Sequence, residues 1–265
     1  MIWFRGLPVR RRRFVAGVAL LTAGACALGV TLIVGAAAGT GPASYPPQSQ
    51  PGPVLLVPGY GGSIGGLSVL ASRIRATGRE ATVIQLPGNG TGSLIRDAGV
   101  LNQAVSGALR GGAPSVDVIG YSAGGVAALL WAREDDGEHK ARRVVTLGSP
   151  FHGTAVASAA QGFAPGACPA ACAQLVPGSS LLAALVPGVP GRLPWLSLWT
   201  TDDMTVTPPV SARLAGAIDV PVQSVCPGQQ ISHSQLPTSP VVTAMVIRAI
   251  GRGPIARPAS SDCGS

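Results

Sequence analysis

Charge is scarce in this sequence of 265 residues, with Asp, Glu, Lys and Arg together at 11%. Aromatic residues are scarcer still, at 4%, and there are only three histidines and five cysteines. With so few aromatic rings, a core has to be built from Ala, Val, Leu and Ile, which dominate an apolar content of 46%. The formal net charge of +8 suggests a polyanionic partner, but Arg5 and Arg10 to Arg13 supply five of those charges. From residue 14 onward, fourteen basic residues face eleven acidic ones, a balance of +3. A basic patch for nucleic acid is therefore excluded. The 37 glycines and 24 prolines mark turns, not disorder, because apolar runs recur between them. The length suits one sizeable domain with an appendage.

Residues 14–38 contain no charged side chain and follow a basic stretch. As a helix they would reach about 37 Å at roughly 1.5 Å per residue, enough to cross a bilayer core. The apolar stretch of a cleaved signal peptide is usually shorter, roughly 7–15 residues. Even so, Ala36-Ala37-Ala38 offers a small-residue cleavage site, and Arg11-Arg12-Arg13-Phe14 resembles a twin-arginine export signal. Ala23-Gly24-Ala25-Cys26 only loosely resembles a lipoprotein box, since it lacks the leucine. An uncleaved membrane anchor and an export signal both send the remainder out of the cytoplasm. The expected organisation is a basic region with a signal or anchor helix at 1–38, a Pro-rich linker at 39–52, and the chemistry-bearing domain at 53–265. Besides Cys26, four cysteines remain, an even number that suits two disulfides in an exported chain. Cys168–Cys172 is the local pairing. Cys226–Cys263 would then tie the tail to the loop before His233. A zinc site is a poor alternative, because Cys-x3-Cys has no second Cys/His pair at suitable spacing.

Short apolar runs at 53–57, 81–86, 116–121, 142–147, 194–200 and 220–225 read as strands. Helical spacing of apolar residues follows at 64–78, 93–110, 126–131 and 239–251. Such alternation predicts an α/β fold with a mostly parallel sheet covered on both faces. Ligands in these sheets bind beyond the carboxyl ends of the strands. Residues 155–193 break the rhythm. They read either as a packed connection over the sheet or as an apolar wall beside a binding pocket.

Val116 to Ile119 end in Gly120-Tyr121-Ser122-Ala123-Gly124, and a small-residue helix follows. Strand, sharp turn and helix are the setting of a nucleophile elbow, which exposes the serine hydroxyl at a helix N-terminus. Such a serine needs a base and an orienting carboxylate, in the chain order serine, acid, histidine. His139 lies in a charged segment with Asp135 and Asp136, and His152 follows a strand exit. His233, after the last strand, is late enough to be the base. The acid belongs in Trp199-Thr200-Thr201-Asp202-Asp203, where a strand ends. Adjacent side chains point oppositely, so only one of the two aspartates reaches His233, and spacing does not choose between them. Asp219 begins a strand and is a poorer candidate. The oxyanion donors are expected at the N–H of Ala123 and, since Pro58 has none, at Tyr60 in Pro58-Gly59-Tyr60-Gly61-Gly62. A phosphate loop is excluded there, because no Gly-Lys-Ser/Thr and no Gly-x-Gly-x-x-Gly occurs.

Over about residues 53–250 the chain resembles the small bacterial triacylglycerol lipases and esterases of the α/β-hydrolase superfamily. Four motifs carry the resemblance in order: Val-Pro-Gly-Tyr-Gly-Gly at 57–62, Gly-Tyr-Ser-Ala-Gly at 120–124, Thr-Leu-Gly-Ser-Pro-Phe-His-Gly-Thr at 146–154, and Asp-Met-Thr-Val at 203–206 followed by His233. The resemblance implies an α/β-hydrolase fold, selects Asp203 over Asp202, and implies Tyr60 and Ala123 as oxyanion donors. One departure is Pro58-Gly59, where that family usually has His-Gly. The expectation is a cofactor-independent, metal-free and monomeric serine ester hydrolase acting on lipid or small acyl esters. Its membrane contact would be through 14–38 if that segment is not cleaved. Its rivals are an acyltransferase using the same residues and a non-catalytic binding protein on the same scaffold.

Overall fold

A computed structural model describes residues 44–163, 166 and 168–264 of the chain. The apolar segment 14–38 and the twin-arginine-like motif lie outside the described residues. Among the described residues, no helix is long and apolar enough to cross a membrane.

Six strands form one parallel sheet: β1 (Val54–Val57), β2 (Ala81–Val83), β3 (Val116–Tyr121), β4 (Ala141–Leu147), β5 (Trp195–Trp199) and β6 (Ile218–Pro221). Their spatial order is β2-β1-β3-β4-β5-β6. The chain thus moves outward from β1 to β2, then returns to the other side of β1 for β3. The direction of winding reverses between β1 and β3, so the crevice beyond their carboxyl ends is the switch point of the sheet.

Strand alternation sorts the core into two layers. Leu55, Val57, Val116, Val118 and Val144 face one side, beneath α2 (Leu94–Arg110) and α3 (Ala123–Glu134). Val54, Leu56, Ile119, Val145, Leu147, Leu196 and Leu198 face the other, beneath α1 (Gly65–Ala76) and α8 (Pro240–Ala249). α3 is buried through ten consecutive residues, Ala123 to Ala132, and six of these are Ala or Gly. Small side chains let this helix lie close on the sheet. The irregular stretch expected at 155–193 contains three short helices: α4 (Ala155–Phe163), α5 (Ala170–Gln174) and α6 (Ser180–Ala184). Ala171, Leu175, Leu181, Leu182 and Leu185 from this stretch join the first core layer. The disulfides are Cys168–Cys172 and Cys226–Cys263.

Two strands differ from expectation by more than one residue. The last strand is 218–221, not 220–225, and Val222–Val225 is a helical turn, α7. Pro221 ends β6 opposite Trp199, has no N–H to continue the ladder, and is the N-cap residue of the turn that follows. The second strand stops at Val83, not residue 86.

At the amino ends of the strands lies a buried ionic cluster. Val116 pairs with Ala141 but Asp117 with Arg143, so Arg142 is an extra residue, a β-bulge. Arg142 Nε donates to Asp117 Oδ1 at 2.9 Å, and Arg79 donates to Oδ2 at 2.8 Å. Asp117, Arg142 and Arg143 are fully buried. Arg142 also donates to the carbonyls of Ile250 and Gly251, and Arg143 to those of Ala249, Gly251 and Gly253. The carbonyls of Ala249, Ile250 and Gly251 lie at the end of α8, where cations are favoured by the helix dipole. Burial and then neighbouring Arg142 pull the Arg143 guanidinium down to about 10, so it stays charged at neutral pH. Gln48 and Gly52 bond to the same arginines, which docks the segment before β1.

Removing one member of a buried pair leaves the other charge uncompensated. Asp117→Asn is expected to cost about 3–5 kcal/mol of stability, read as a lower urea midpoint at unchanged slope. Asp97, on the buried face of α2, behaves oppositely. Burial pushes its carboxyl up to about 6, against a smaller downward pull from Arg96. The folded state then holds this proton more tightly than the unfolded chain, so stability falls as pH rises from about 4 to about 6. Asp97→Asn is expected to raise the urea midpoint at pH 7 and to give no gain at pH 4.

Candidate active site

Ser122 links β3 to α3 with φ 54° and ψ −128°. A non-glycine residue in that region costs about 1–3 kcal/mol and persists only where packing holds it. The packing is visible on both sides. A side chain at Gly120 would lie 2.5 Å from Gly125 Cα, and one at Gly124 would lie 2.3 Å from the Val57 carbonyl oxygen. The strand and the helix therefore touch β1 and each other backbone to backbone. Ser122 N–H donates to Leu147 C=O at 2.9 Å, which ties the turn to β4.

The loop after β1 covers this turn. A Cβ added at Gly59 would sit 2.8 Å from Ser122 Cβ, so the loop lies directly on the serine. Tyr60 follows and is half exposed, while Ala123 is buried as the first residue of α3. Tyr60 and Ser122 line a cavity of about 170 Å³ with Val156, Ala157, Leu175 and Val206. The 155–193 stretch is thus both a cover over the sheet and an apolar wall beside Ser122. A wider groove of about 620 Å³, between α2, α3 and α6, touches neither Ser122 nor His233.

His233 opens a short 3-10 turn, His233–Gln235, in the loop after β6 and α7. Its Nδ1 is 2.7 Å from Asp203 Oδ2, and both residues are buried. The other carboxylate oxygen, Oδ1, accepts N–H bonds from Thr205 at 2.9 Å and Val206 at 2.7 Å. Asp203 is therefore aimed by its own turn. Nδ1 carries the proton in this pair, because an ionised carboxylate only accepts; Nε2 is left as the basic nitrogen.

Asp202 points elsewhere. Its Oδ2 accepts from Ile231 N–H at 3.3 Å and from Gln223 at 3.2 Å. Thr200 donates to the Ile231 carbonyl at 2.6 Å. The two neighbouring polar residues thus hold the loop that carries His233. His152 is exposed, with Nδ1 3.2 Å from the Ser211 carbonyl oxygen. His139 pairs with Asp136 at 2.6 Å, beside Glu138. That group precedes β4, at the amino edge of the sheet, whereas Ser122 and Asp203 follow the carboxyl ends of their strands. Among the described residues it is the one grouping of three potential metal ligands, and it is exposed or half-buried.

Sequence reasoning passed over Gly148. Its φ is +56°, and an added Cβ would meet Leu236 at 2.6 Å, His233 Nδ1 at 3.1 Å and Asp203 Oδ2 at 3.3 Å. The signal was available, since a glycine ends β4 between Leu147 and Ser149.

The fold and this placement can be set beside known proteins. The backbone is similar to that of Aspergillus fumigatus lipase B, with a TM-score of 0.65 and 18% identity. The likeness covers 84% of this chain and 59% of the lipase, so the chain spans less than two thirds of that protein. It is also similar to the mature form of Bacillus licheniformis lipase BlEst2, at TM-score 0.55 and 19% identity over 68% of this chain and 86% of that one. An extracellular α/β-hydrolase from a Paenibacillus species gives 0.51 and 14%, over 77% of this chain and all of that one. No protein-family model and no curated protein matches the chain. At such identities the likeness establishes the fold, and the chain has the α/β-hydrolase fold.

Gly148→Ala is expected to displace the His233–Asp203 pair or strain the left-handed turn. A loss of about 1–3 kcal/mol follows from overpacking, measured as a lower thermal midpoint.

Proposed function

We propose that this protein is a serine carboxylic-ester hydrolase, an esterase or lipase acting on lipid-like acyl esters outside the cytoplasm. The observation that carries the reading is the His233–Asp203 pair, together with a strained, elbow-borne serine at the end of β3. Ser122 is the nucleophile, His233 the base and Asp203 the group that orients the base.

With Nδ1 engaged by Asp203, His233 takes the Ser122 proton on Nε2. The serine oxygen bonds to the ester carbonyl carbon, and the carbonyl oxygen becomes an oxyanion. The N–H groups of Tyr60 and Ala123 receive that charge, aided by the N-terminus of α3. As the carbon–oxygen bond to the alcohol breaks, the imidazolium returns its proton to the leaving oxygen. Water, deprotonated by the same nitrogen, then adds to the acyl carbon; the bond to Ser122 Oγ breaks, the proton passes from Nε2 to that oxygen, and the acid is released. Pro58, in the place of the usual histidine, supports the loop by its fixed φ rather than by a side-chain hydrogen bond.

The apolar lining from Val156, Ala157, Leu175 and Val206 supports a hydrocarbon acyl group as substrate. Two disulfides support folding in an oxidising compartment, and residues 14–38 are the proposed export signal or anchor. The related folds of two lipases agree with the reading.

The test is hydrolysis of p-nitrophenyl esters of increasing chain length by the full chain, beside Ser122→Ala and His233→Ala. The parent is expected to turn over these esters, and each variant to lose on the order of 10³-fold or more in kcat. A chain-length optimum distinguishes esterase from lipase, and product analysis with an added alcohol separates hydrolysis from acyl transfer. A folded parent that is inert on every ester, or activity that survives Ser122→Ala, overturns the reading.

A further inference from the structure

Tyr121 sits between the glycine and the serine of the elbow. It closes β3, and strand alternation turns its side chain to the layer of Ile119, beneath α1 and α8. That is the side on which the His233 loop returns to the sheet. The Tyr121 hydroxyl donates to the His233 main-chain carbonyl at 3.2 Å. The tyrosine ring lies 5.1 Å, centroid to centroid, from the imidazole, at an interplanar angle of 32°. One side chain therefore holds both the backbone and the ring of the same histidine. The carbonyl also accepts the Leu236 N–H at 3.2 Å, so the tyrosine supplies its second bond.

Resting on the hydrolase reading above, we infer that Tyr121 is a positioning residue that fixes His233 relative to Ser122. The two groups that exchange a proton come from chain positions 111 residues apart, on different elements. A direct tie from Tyr121 refers the base to the residue covalently joined to the nucleophile. A shift of the β3 end then moves both groups together. A filler of the core would need only the ring, and phenylalanine would serve. The hydroxyl is a proton donor that a core position does not require. Burial, with the nearby Asp203 carboxylate as the second cause, pushes the phenol up to about 12, so it remains a neutral donor at working pH. Rate is steeply sensitive to such alignment, since small misplacement of a reacting group costs large factors.

Tyr121→Phe keeps the ring and removes the bond, and Tyr121→Leu removes both. The measurements are kcat and KM on a p-nitrophenyl ester, the thermal midpoint, and the low-field proton resonance of His233 Nδ1, assigned by its absence in His233→Ala. For Tyr121→Phe, kcat is expected to fall about tenfold, the worth of one net hydrogen bond, with KM kept. The resonance should move upfield and exchange faster with water, and the midpoint should be nearly unchanged. Tyr121→Leu should fall further in kcat. Unchanged kcat and resonance in Tyr121→Phe, a loss confined to the midpoint, or a rise in KM alone overturns the inference. If the parent turns over no ester, the hydrolase reading fails by itself. The resonance still decides whether Tyr121 holds His233.

Discussion

The contact of α3's first turn with the β1 carbonyls is the constraint on which the site depends. At Gly124 a side chain would come within 2.3 Å of the Val57 oxygen, and at Gly125 within 1.9 Å of Ser149 Oγ. The backbones of β3, α3 and β1 are thereby stacked at Gly120 and Gly124, while Gly125 makes room for the Ser149 side chain. That stack holds Ser122 at a positive φ, for the turn has no room to relax. It also brings the loop after β1 onto the serine, because β1 is the neighbour of β3 at the switch point of the sheet. Strain, serine exposure and loop placement are one geometric fact. The Ala- and Gly-rich composition of α3, which looks bland in sequence, is what permits it.

The two edges of the sheet use charge in different ways. At the amino edge, the Asp117 carboxylate meets the guanidinium groups of Arg79 and Arg142, and further arginine bonds go to helix-end carbonyls. Every partner there is spoken for, which is the condition for buried charge to be tolerable. At the carboxyl edge, Asp203 accepts three bonds, two from backbone and one from His233, while the second ring nitrogen has no place in that pair. The first arrangement closes a structure. The second leaves one basic nitrogen over for chemistry.

Legibility in the sequence followed the range of the interactions. The elbow could be read because its glycines, serine and strand are contiguous, and the parallel sheet because apolar runs alternate with helical spacing. His233 was recognisable from chain order alone. Asp202 and Asp203 could not be told apart by alternation, because the choice rests on where a turn aims a carboxylate. Thr205 and Val206 N–H groups capture one oxygen of Asp203 and so present the other to His233. The bulge at Arg142 was invisible, since register is a property of two strands 25 residues apart. A hint did exist: consecutive arginines and a lone aspartate inside apolar strands demand partners. The end of the last strand was misread because the apolar run continues through Pro221, where the missing N–H, not hydrophobicity, decides.

Precision in the carboxyl-edge dyad has to be explained, because His233 sits on a loop, and loops are the least rigid part of such folds. The loop is pinned from several directions. Cys226 joins it to the C-terminal tail, Asp202 and Thr200 bond Ile231 from the end of β5, and Tyr121 bonds His233 from the end of β3. Gly148, at the end of β4, leaves the space into which the pair fits. The ends of three adjacent strands thus converge on one imidazole. The β3–β4 pair among them has the longest run of parallel register, six residue pairs. A loop residue gains the positional accuracy of a sheet when each of its degrees of freedom is bonded to a different strand. Polar side chains at the end of β3 and just beyond β5 therefore bear on the position of His233.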